Sequence, residues 1–418
     1  MRIIKIFLVS IMLSCFVFNS YADGHLNKLM QEAVQEHAFP GGCIQAGNAK
    51  QILIDRCFGY FTYSKKTRDQ NNSLFDIASL TKVIATTSAV MKLYDQGKIK
   101  LNDKVISFLP NFAGPTSQQT KLKAKITIFQ LLTHTSGLPA DNNFIINKNL
   151  TMKQRWQGIL ETPVLNYPGT KYRYSDINFI LLGKIVQKIS GQPLNQFVAQ
   201  TIFKPLGMNQ TFYNPSQKEA SSIVPTSYDA NQKALLKGIV DDPMARALGG
   251  VSGNAGLFST IHDLGIFAQM MLNHGEYKGV RIFKASTVNL FTRRVNALPL
   301  NSRALGWDTV YNPKSTLPLH DRPSGYFGDR QFYESPEQFT AGFYIDPNAY
   351  GHTGYTGTSI WISQKQGIYV ILLTNRVTPF PKDIPEKYFR QQINSAAWKS
   401  LGFTKKNLTY VEPKLLPG

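Results

Sequence analysis

The sequence predicts an α/β (α+β) chain: an antiparallel sheet flanked by helices, with an all-helical domain inserted into it. Three observations predict this. Residues 41–60 read as two short strands around a turn near Asn48 to Lys50. Residues 77–274 are mostly helical patterns joined by Gly and Pro, and the C-terminal part returns to strand-sized apolar pieces, "TSIWIS" and "GIYVILLTNR". Sequential strands joined by short turns favour antiparallel pairing, with helices packed on the sheet.

The first 22 residues stand apart. Arg2 and Lys5 precede a 13-residue uncharged run from Ile6 to Phe18, and Ser20 and Ala22 make a small-x-Ala ending. This is the pattern of a secretory signal peptide cut before Asp23, giving a secreted or periplasmic protein. An N-terminal membrane anchor is the alternative, but the run is shorter than the roughly 20 apolar residues a span needs. A lipid-attachment box at Cys15 fits poorly, since Leu13 is followed by Ser14.

Residues 25–37 carry helical spacing at Leu26, Leu29, Met30 and Val34, and Pro40 closes them off. In the hairpin that follows, equal parity about the turn makes a disulfide between Cys43 and Cys57 geometrically open; two unpaired buried thiols are the alternative. Thr62 to Asn72 is a polar loop, after which a helix is expected from about Ser79 to Gln96, stopping at Gly97. A Pro168-Gly169 turn leads to another helix from about Ser175 to Gly191. Residues 313–350 lack either period and read as a long loop, and residues 385–400 as a closing amphipathic helix. The expected division is 1–22 signal peptide, 23–76 plus 275–418 α/β domain, and 77–274 mainly helical domain.

The chain has 418 residues and a net charge of +20, or +18 once Arg2 and Lys5 leave with the signal. The lysines and arginines are scattered, which with export argues against nucleic acid as a partner; an anionic cell-wall polymer or membrane surface suits the charge better.

Chemistry concentrates at "FDIASLTKVIATTSAVM", residues 75–91. Ser79 and Lys82 stand three apart, on one face of a helix. Burying an ammonium in so apolar a helix requires either a depressed pKa or a polar network, and both suit a proton acceptor for a serine. The bland alternative is a snorkelling lysine with Ser79 as N-cap. Tyr174, at the entrance of the Ser175 helix, is a candidate proton shuttle whose pKa a neighbouring ammonium would lower. Asp176 also reads as a first-turn carboxylate. In "GHTGYTGTSIWIS", His352, Thr353 and Gly354 precede a strand; Gly354 permits close backbone approach, and the amides of Tyr355 and Ser79 could hold an oxyanion. The seven histidines do not group at metal-ligand spacing, and His134 reads as structural. No Gly-x-Ser-x-Gly elbow occurs.

Ser79-Leu-Thr-Lys82, Tyr174-Ser-Asp176 and His352-Thr-Gly354, in that order, resemble the three active-site motifs of the penicillin-recognising serine hydrolases. That group comprises class C β-lactamases, low-molecular-mass penicillin-binding proteins with D-alanyl-D-alanine peptidase activity, and related esterases. "LLTHTSGLP", "ALGGVSGNAGLFST" and their neighbours extend the likeness over about residues 40 to 400. The resemblance implies a three-layer α/β domain with a helical insertion and the site between them. It implies Ser79 as the acylated nucleophile and Lys82 and Tyr174 as sharing the proton transfers. The amides of Ser79 and Tyr355 would form the oxyanion hole, with Asp176, His352, Thr353 and Gly354 lining the substrate. No cofactor is implied. Two departures stand out: Asp176 replaces the common Asn of the second motif, and His352 the Lys usual in β-lactamases. They direct the expectation to an exported D-alanyl-D-alanine peptidase acting on peptidoglycan peptides through an acyl-enzyme on Ser79. The alternatives are a class C-like β-lactamase, a carboxylesterase, and an inactive wall-binding relative.

Overall fold

The computed structural model describes residues 24–295, 303–310, 340–381 and 390–404. The expected signal peptide, most of the 313–350 loop and the start of the closing helix lie outside the described residues.

Six strands make the main sheet: β1 (Gly41–Asn48), β2 (Ile52–Gly59), β3 (Asp308–Thr309), β4 (Tyr350–Gly354), β5 (Thr358–Ser363) and β6 (Ile368–Thr374). Their spatial order is β3-β4-β5-β6-β1-β2, every neighbouring pair antiparallel. The first hairpin thus sits beside the last strand, and the helical region is looped out between them. Cys43 faces Cys57 across β1 and β2, and the two are joined as a disulfide.

Side chains alternate between the two faces of β6, as the pleat requires. Ile368, Val370 and Leu372 point to one core, with helix α1 (24–35) supplying Leu26 and Met30, and the closing helix supplying Ile393 and Trp398. Tyr369, Ile371 and Leu373 point to a second and larger core. Both faces are covered, so β5 and β6 are buried at every residue and read as apolar runs in the sequence.

The helical region contains α2 (Ser88–Asp95) and α3 (Asp176–Ser190). Thr127 and Thr151 begin two further helices with reciprocal capping boxes to Gln130 and Gln154. Helix α3 begins at Ser175, whose hydroxyl accepts from the Asn178 amide, and ends at Gly191 with φ 72°. Nearly all its apolar residues are buried, and Gly183 lies so close to Gly253 that a Cβ would stand 3.1 Å from the Gly253 Cα. The larger core runs without interruption from the sheet face through α2 and α3.

Two features depart from the expected division. Helix α4 (Ile261–Leu272), assigned to the helical insertion by the boundary at 274, contributes Leu264, Phe267 and Met271 to the core beneath β1 and β6. Periodicity identifies a helix but not the layer that receives its apolar face. Inside the region expected to be all-helical, Leu257–Ser259 pairs with both Phe75–Asp76 and Phe212–Tyr213. Strands of two or three residues are too short to show a period of two.

Candidate active site

The segment bearing Ser79 is not a regular helix at its start. Ala78 has φ 47°, in the left-handed region an alanine rarely enters, and Ala78–Leu80 forms a 3-10 turn. Lys82–Thr87 then widens to π-type bonding before α2 becomes regular. The strained entry is held by Asp76, whose carboxylate accepts from the Ala78 amide at 2.9 Å and the Asp241 amide at 2.7 Å. Burial, with the charge of Asp241 adding to it, pushes Asp76 up to about 7.

Lys82 is completely buried, and its ammonium is surrounded. Nζ donates to Ser79 Oγ at 3.0 Å and to the Asn254 carbonyl at 3.0 Å, and it lies 2.6 Å from Asp176 Oδ1. It also stands 5.0 Å from the centre of the Tyr174 ring, and the Tyr174 hydroxyl interacts with both Lys82 and Ser79. Of the two expectations for a buried lysine, the polar network holds. Burial alone would lower Lys82, but the charge of Asp176, with the hydrogen bonds to Asp176 and Tyr174, outweighs it and holds the amine above the ordinary lysine value. The snorkelling alternative is removed, since the side chain points inward. The expectation for Tyr174 reverses: burial raises the phenol above its ordinary value, and the Lys82 charge only partly offsets that.

The loop before α4 wraps the base of this segment. Thr86 Oγ1 donates to the Gly253 carbonyl at 2.7 Å, and the Leu257 amide donates to Thr81 Oγ1 at 3.0 Å. Gly253 is required: a Cβ there would stand 1.9 Å from the Phe179 carbonyl oxygen. The Asn254 side chain then donates to Asp242 at 3.2 Å, a carboxyl that burial and the charge of Asp176 push up to about 6.

Strand β4 closes the site from the sheet side. His352 is 3 % exposed, its Nδ1 bonds to the Thr353 carbonyl at 2.8 Å, and its ring centre lies 6.0 Å from that of Tyr174. Burial and then the Arg303 and Lys82 charges hold it well below the usual imidazole value, so it is neutral. Gly354 meets the Ser79 turn, and Thr356 and Thr358 donate to the carbonyls of Asp76 and Ile77 at 2.8 and 3.1 Å. Tyr355 follows in the tight turn, its ring 5.4 Å from Arg376.

The structure therefore brings Ser79, Lys82, Tyr174, Asp176, His352 and Gly354 to one place, with Thr353 and Tyr355 beside them on β4 and its turn. Sequence reasoning left out Asn254, Asp242, His134 as a support, and Arg303. His134 stacks on Tyr174 at 4.6 Å, and its Nδ1 accepts from the Ser175 amide at 3.1 Å. Arg303 lies 5.4 Å from the Tyr174 ring and donates to Tyr172 Oη. The glycine run "GGVSGNAG" is a signal for Asn254, because it marks close backbone approach; nothing local distinguishes Arg303. Among the described residues, no three His, Cys, Asp or Glu side chains group as a metal site.

A serine next to the strained Ala78, a buried lysine and a tyrosine meet between a helical region and an antiparallel sheet, an arrangement able to carry acyl transfer to the serine. The chain belongs to the Beta-lactamase family, whose family model matches residues 26–395. A protein of Salmonella schwarzengrund carrying the name "Putative D-alanyl-D-alanine carboxypeptidase" is 34% identical over 354 residues, 78% of this chain and 76% of the relative. In fold the chain is similar to a β-lactamase/D-alanine carboxypeptidase of Yersinia pestis, with TM-score 0.64 and 20% identity over 90% of this chain and 98% of that one. It is also similar to a penicillin-binding protein homologue of Pyrococcus abyssi, with TM-score 0.64 and 19% identity over 92% and 78%. The family and the three-layer fold implied by the three motifs agree with these findings.

Proposed function

We propose that the protein is an exported serine D-alanyl-D-alanine carboxypeptidase acting on peptidoglycan peptides through an acyl-enzyme on Ser79. The observation that carries this is the 3.0 Å contact of Lys82 Nζ with Ser79 Oγ inside a buried network that also contains Tyr174. Ser79 Oγ attacks the carbonyl of the penultimate D-alanine while the Lys82–Tyr174 pair takes its proton. The same pair returns a proton to the nitrogen of the departing D-alanine, and water then releases the acyl group. The amides of Ser79 and Tyr355 are the proposed oxyanion donors, a role supported by Gly354 packing against Ile77 and Ala78. Thr353 and His352 are the proposed lining of the leaving-group side.

Export rests on residues 1–22 and on the Cys43–Cys57 disulfide, which suits an oxidising compartment. No helix among the described residues is long and apolar enough to cross a membrane. The basic charge favours contact with anionic wall or membrane surfaces. The neutral His352 supports a second reading, hydrolysis of esters with uncharged leaving groups, because a neutral imidazole is a weak carboxylate anchor.

The test is D-alanine release from a D-alanyl-D-alanine pentapeptide, run beside fluorescent penicillin labelling and p-nitrophenyl ester hydrolysis, with Ser79→Ala as control. D-alanine release with durable labelling is the expected result. Ester hydrolysis alone selects the second reading, rapid penicillin turnover identifies a β-lactamase, and full activity in Ser79→Ala removes the mechanism.

A further inference from the structure

Lys82 Nζ donates to Ser79 Oγ and to the Asn254 carbonyl, each at 3.0 Å, stands 2.6 Å from Asp176 Oδ1, and also interacts with the Tyr174 hydroxyl. An ammonium so placed has no lone pair to receive the Ser79 proton. Ser79 Oγ already accepts from Lys82, so its own hydrogen is directed to Tyr174, the other group that interacts with it. Tyr174 is itself a protonated phenol in this resting site, because burial opposes its ionisation. Attack requires a vacancy in the Lys82–Tyr174 pair, and the resting geometry leaves none.

The cause of the full loading is the carboxylate of Asp176. It sits at the first position of α3, where the Ser175 cap and the α3 packing fix its approach to Lys82. Its Oδ1 is buried against Nζ. The other charged or titratable groups facing the pair are Asp242 from the loop before the Pro243 helix, His134, His352 on β4, and Arg303. Both histidines are neutral, Arg303 opposes protonation of the pair, and Asp242 lies beyond Asn254. Asp176 is the carboxylate in direct contact with the ammonium.

We propose that Asp176 is a positioning residue that keeps the Lys82–Tyr174 pair fully loaded with protons, so that the form able to accept the Ser79 proton is reached by losing one at alkaline pH. The inference rests on Ser79 being the nucleophile and goes on to say what controls it. In the acylation step the Ser79 O–H bond breaks and an O–C bond forms to the substrate carbonyl. The proton fills the vacancy in the pair, then passes to the leaving nitrogen or oxygen as its bond to carbon breaks. No further reactant is needed.

Asp176→Asn keeps the size of the side chain and removes its charge. The pair titrates as a unit, and without the counter-charge it gives up a proton more readily whichever member loses it. The expected result is that the alkaline rise in the rate of Ser79 acylation by p-nitrophenyl butyrate, read as the burst, moves down by about one to three pH units, the range for an adjacent opposite charge. Asp176→Glu keeps the wild-type profile. Circular dichroism and melting curves verify that both variants are folded, and the signal of [13C]lysine-labelled protein, assigned with Lys82→Arg, follows the lysine itself. A profile unmoved or moved upward in folded Asp176→Asn, with only the rate reduced, overturns the proposal. If wild type shows no Ser79-dependent burst, the catalytic reading fails. The lysine titration then decides the proton inventory: earlier loss of the Lys82 proton in Asp176→Asn supports it and an unchanged titration overturns it.

Discussion

Gly354 lies directly against the turn that carries Ser79: a Cβ on it would stand 2.5 Å from the Ile77 carbonyl oxygen and 2.1 Å from Thr358 Oγ1. The third motif therefore meets the first through backbone, and a side chain as small as a methyl group pushes β4 away from Ser79. Gly354→Ala is expected to lower kcat/KM by about a hundredfold through misplacement of the reacting groups, and stability by about 1–3 kcal/mol through overpacking. Ester hydrolysis and a urea melt measure the two effects; activity near wild type would show that β4 does not need this contact.

His134 should act on the rate through Tyr174. Its ring stacks at 4.6 Å on Tyr174, its Nδ1 receives the Ser175 amide, and burial followed by the Arg303 and Lys82 charges keeps it neutral. His134→Ala is expected to reduce kcat about ten- to hundredfold with little change in KM, because Tyr174 loses its support and substrate contacts are untouched. Steady-state kinetics on a p-nitrophenyl ester separate the two constants, and a change confined to KM would contradict the assignment.

Asp69 makes stability fall with rising pH. Burial pushes its carboxyl up to about 7, the Ser73 hydroxyl only partly offsetting this, against an ordinary value of 3.8. A carboxyl raised on folding binds its proton more tightly in the folded protein. Its stabilising share is complete below the ordinary value and is lost between pH 3.8 and about 7. Asp69→Asn is expected to raise stability at pH 8 by up to about 4 kcal/mol, and to change it little at acid pH. Thermal melts at several pH values test this; a variant less stable at pH 8 than wild type would refute it.

The Cys43–Cys57 bond closes a short hairpin segment at a sequence separation of 14. Reduction is expected to cost at most about 3 kcal/mol, the chain-entropy figure for a loop of about 15 residues. In the sheet β5 and β6 separate the hairpin from β4, the strand that meets the Ser79 turn, so penicillin labelling should persist in the reduced protein that remains folded. Thiol titration before and after unfolding in urea should detect neither cysteine until reductant is added; two free thiols in the unreduced protein would disprove the pairing.

Much of the site was legible because its chemistry lies in local spacing. Ser79 and Lys82 are one turn apart, Tyr174 and Asp176 flank a capped helix start, and His352 to Gly354 end a strand before a turn. Each pattern follows from the period of the backbone and from turn residues that a short window contains. The hairpin, α3 with its Gly191 stop, and the fully apolar β6 were readable for the same reason. The layer receiving α4 was not, since an amphipathic pattern names a face but not its partner.

By itself the sequence determined which side chains were available for acyl transfer and the antiparallel sheet with a helical region looped out of it. Tertiary structure alone decided their protonation. Whether a buried lysine is an amine or an ammonium depends on the balance between desolvation and the nearest carboxylate. The Asp176 carboxylate reaches Lys82 at 2.6 Å from a different helix, 94 positions along the chain. Arg303 reaches Tyr174 from farther still in sequence, and Asn254 offers Lys82 a backbone carbonyl that no residue type could advertise. Electrostatic energy falls with distance in space, and a sequence lists neighbours along the chain; packing supplies the distances that set the charge on Lys82.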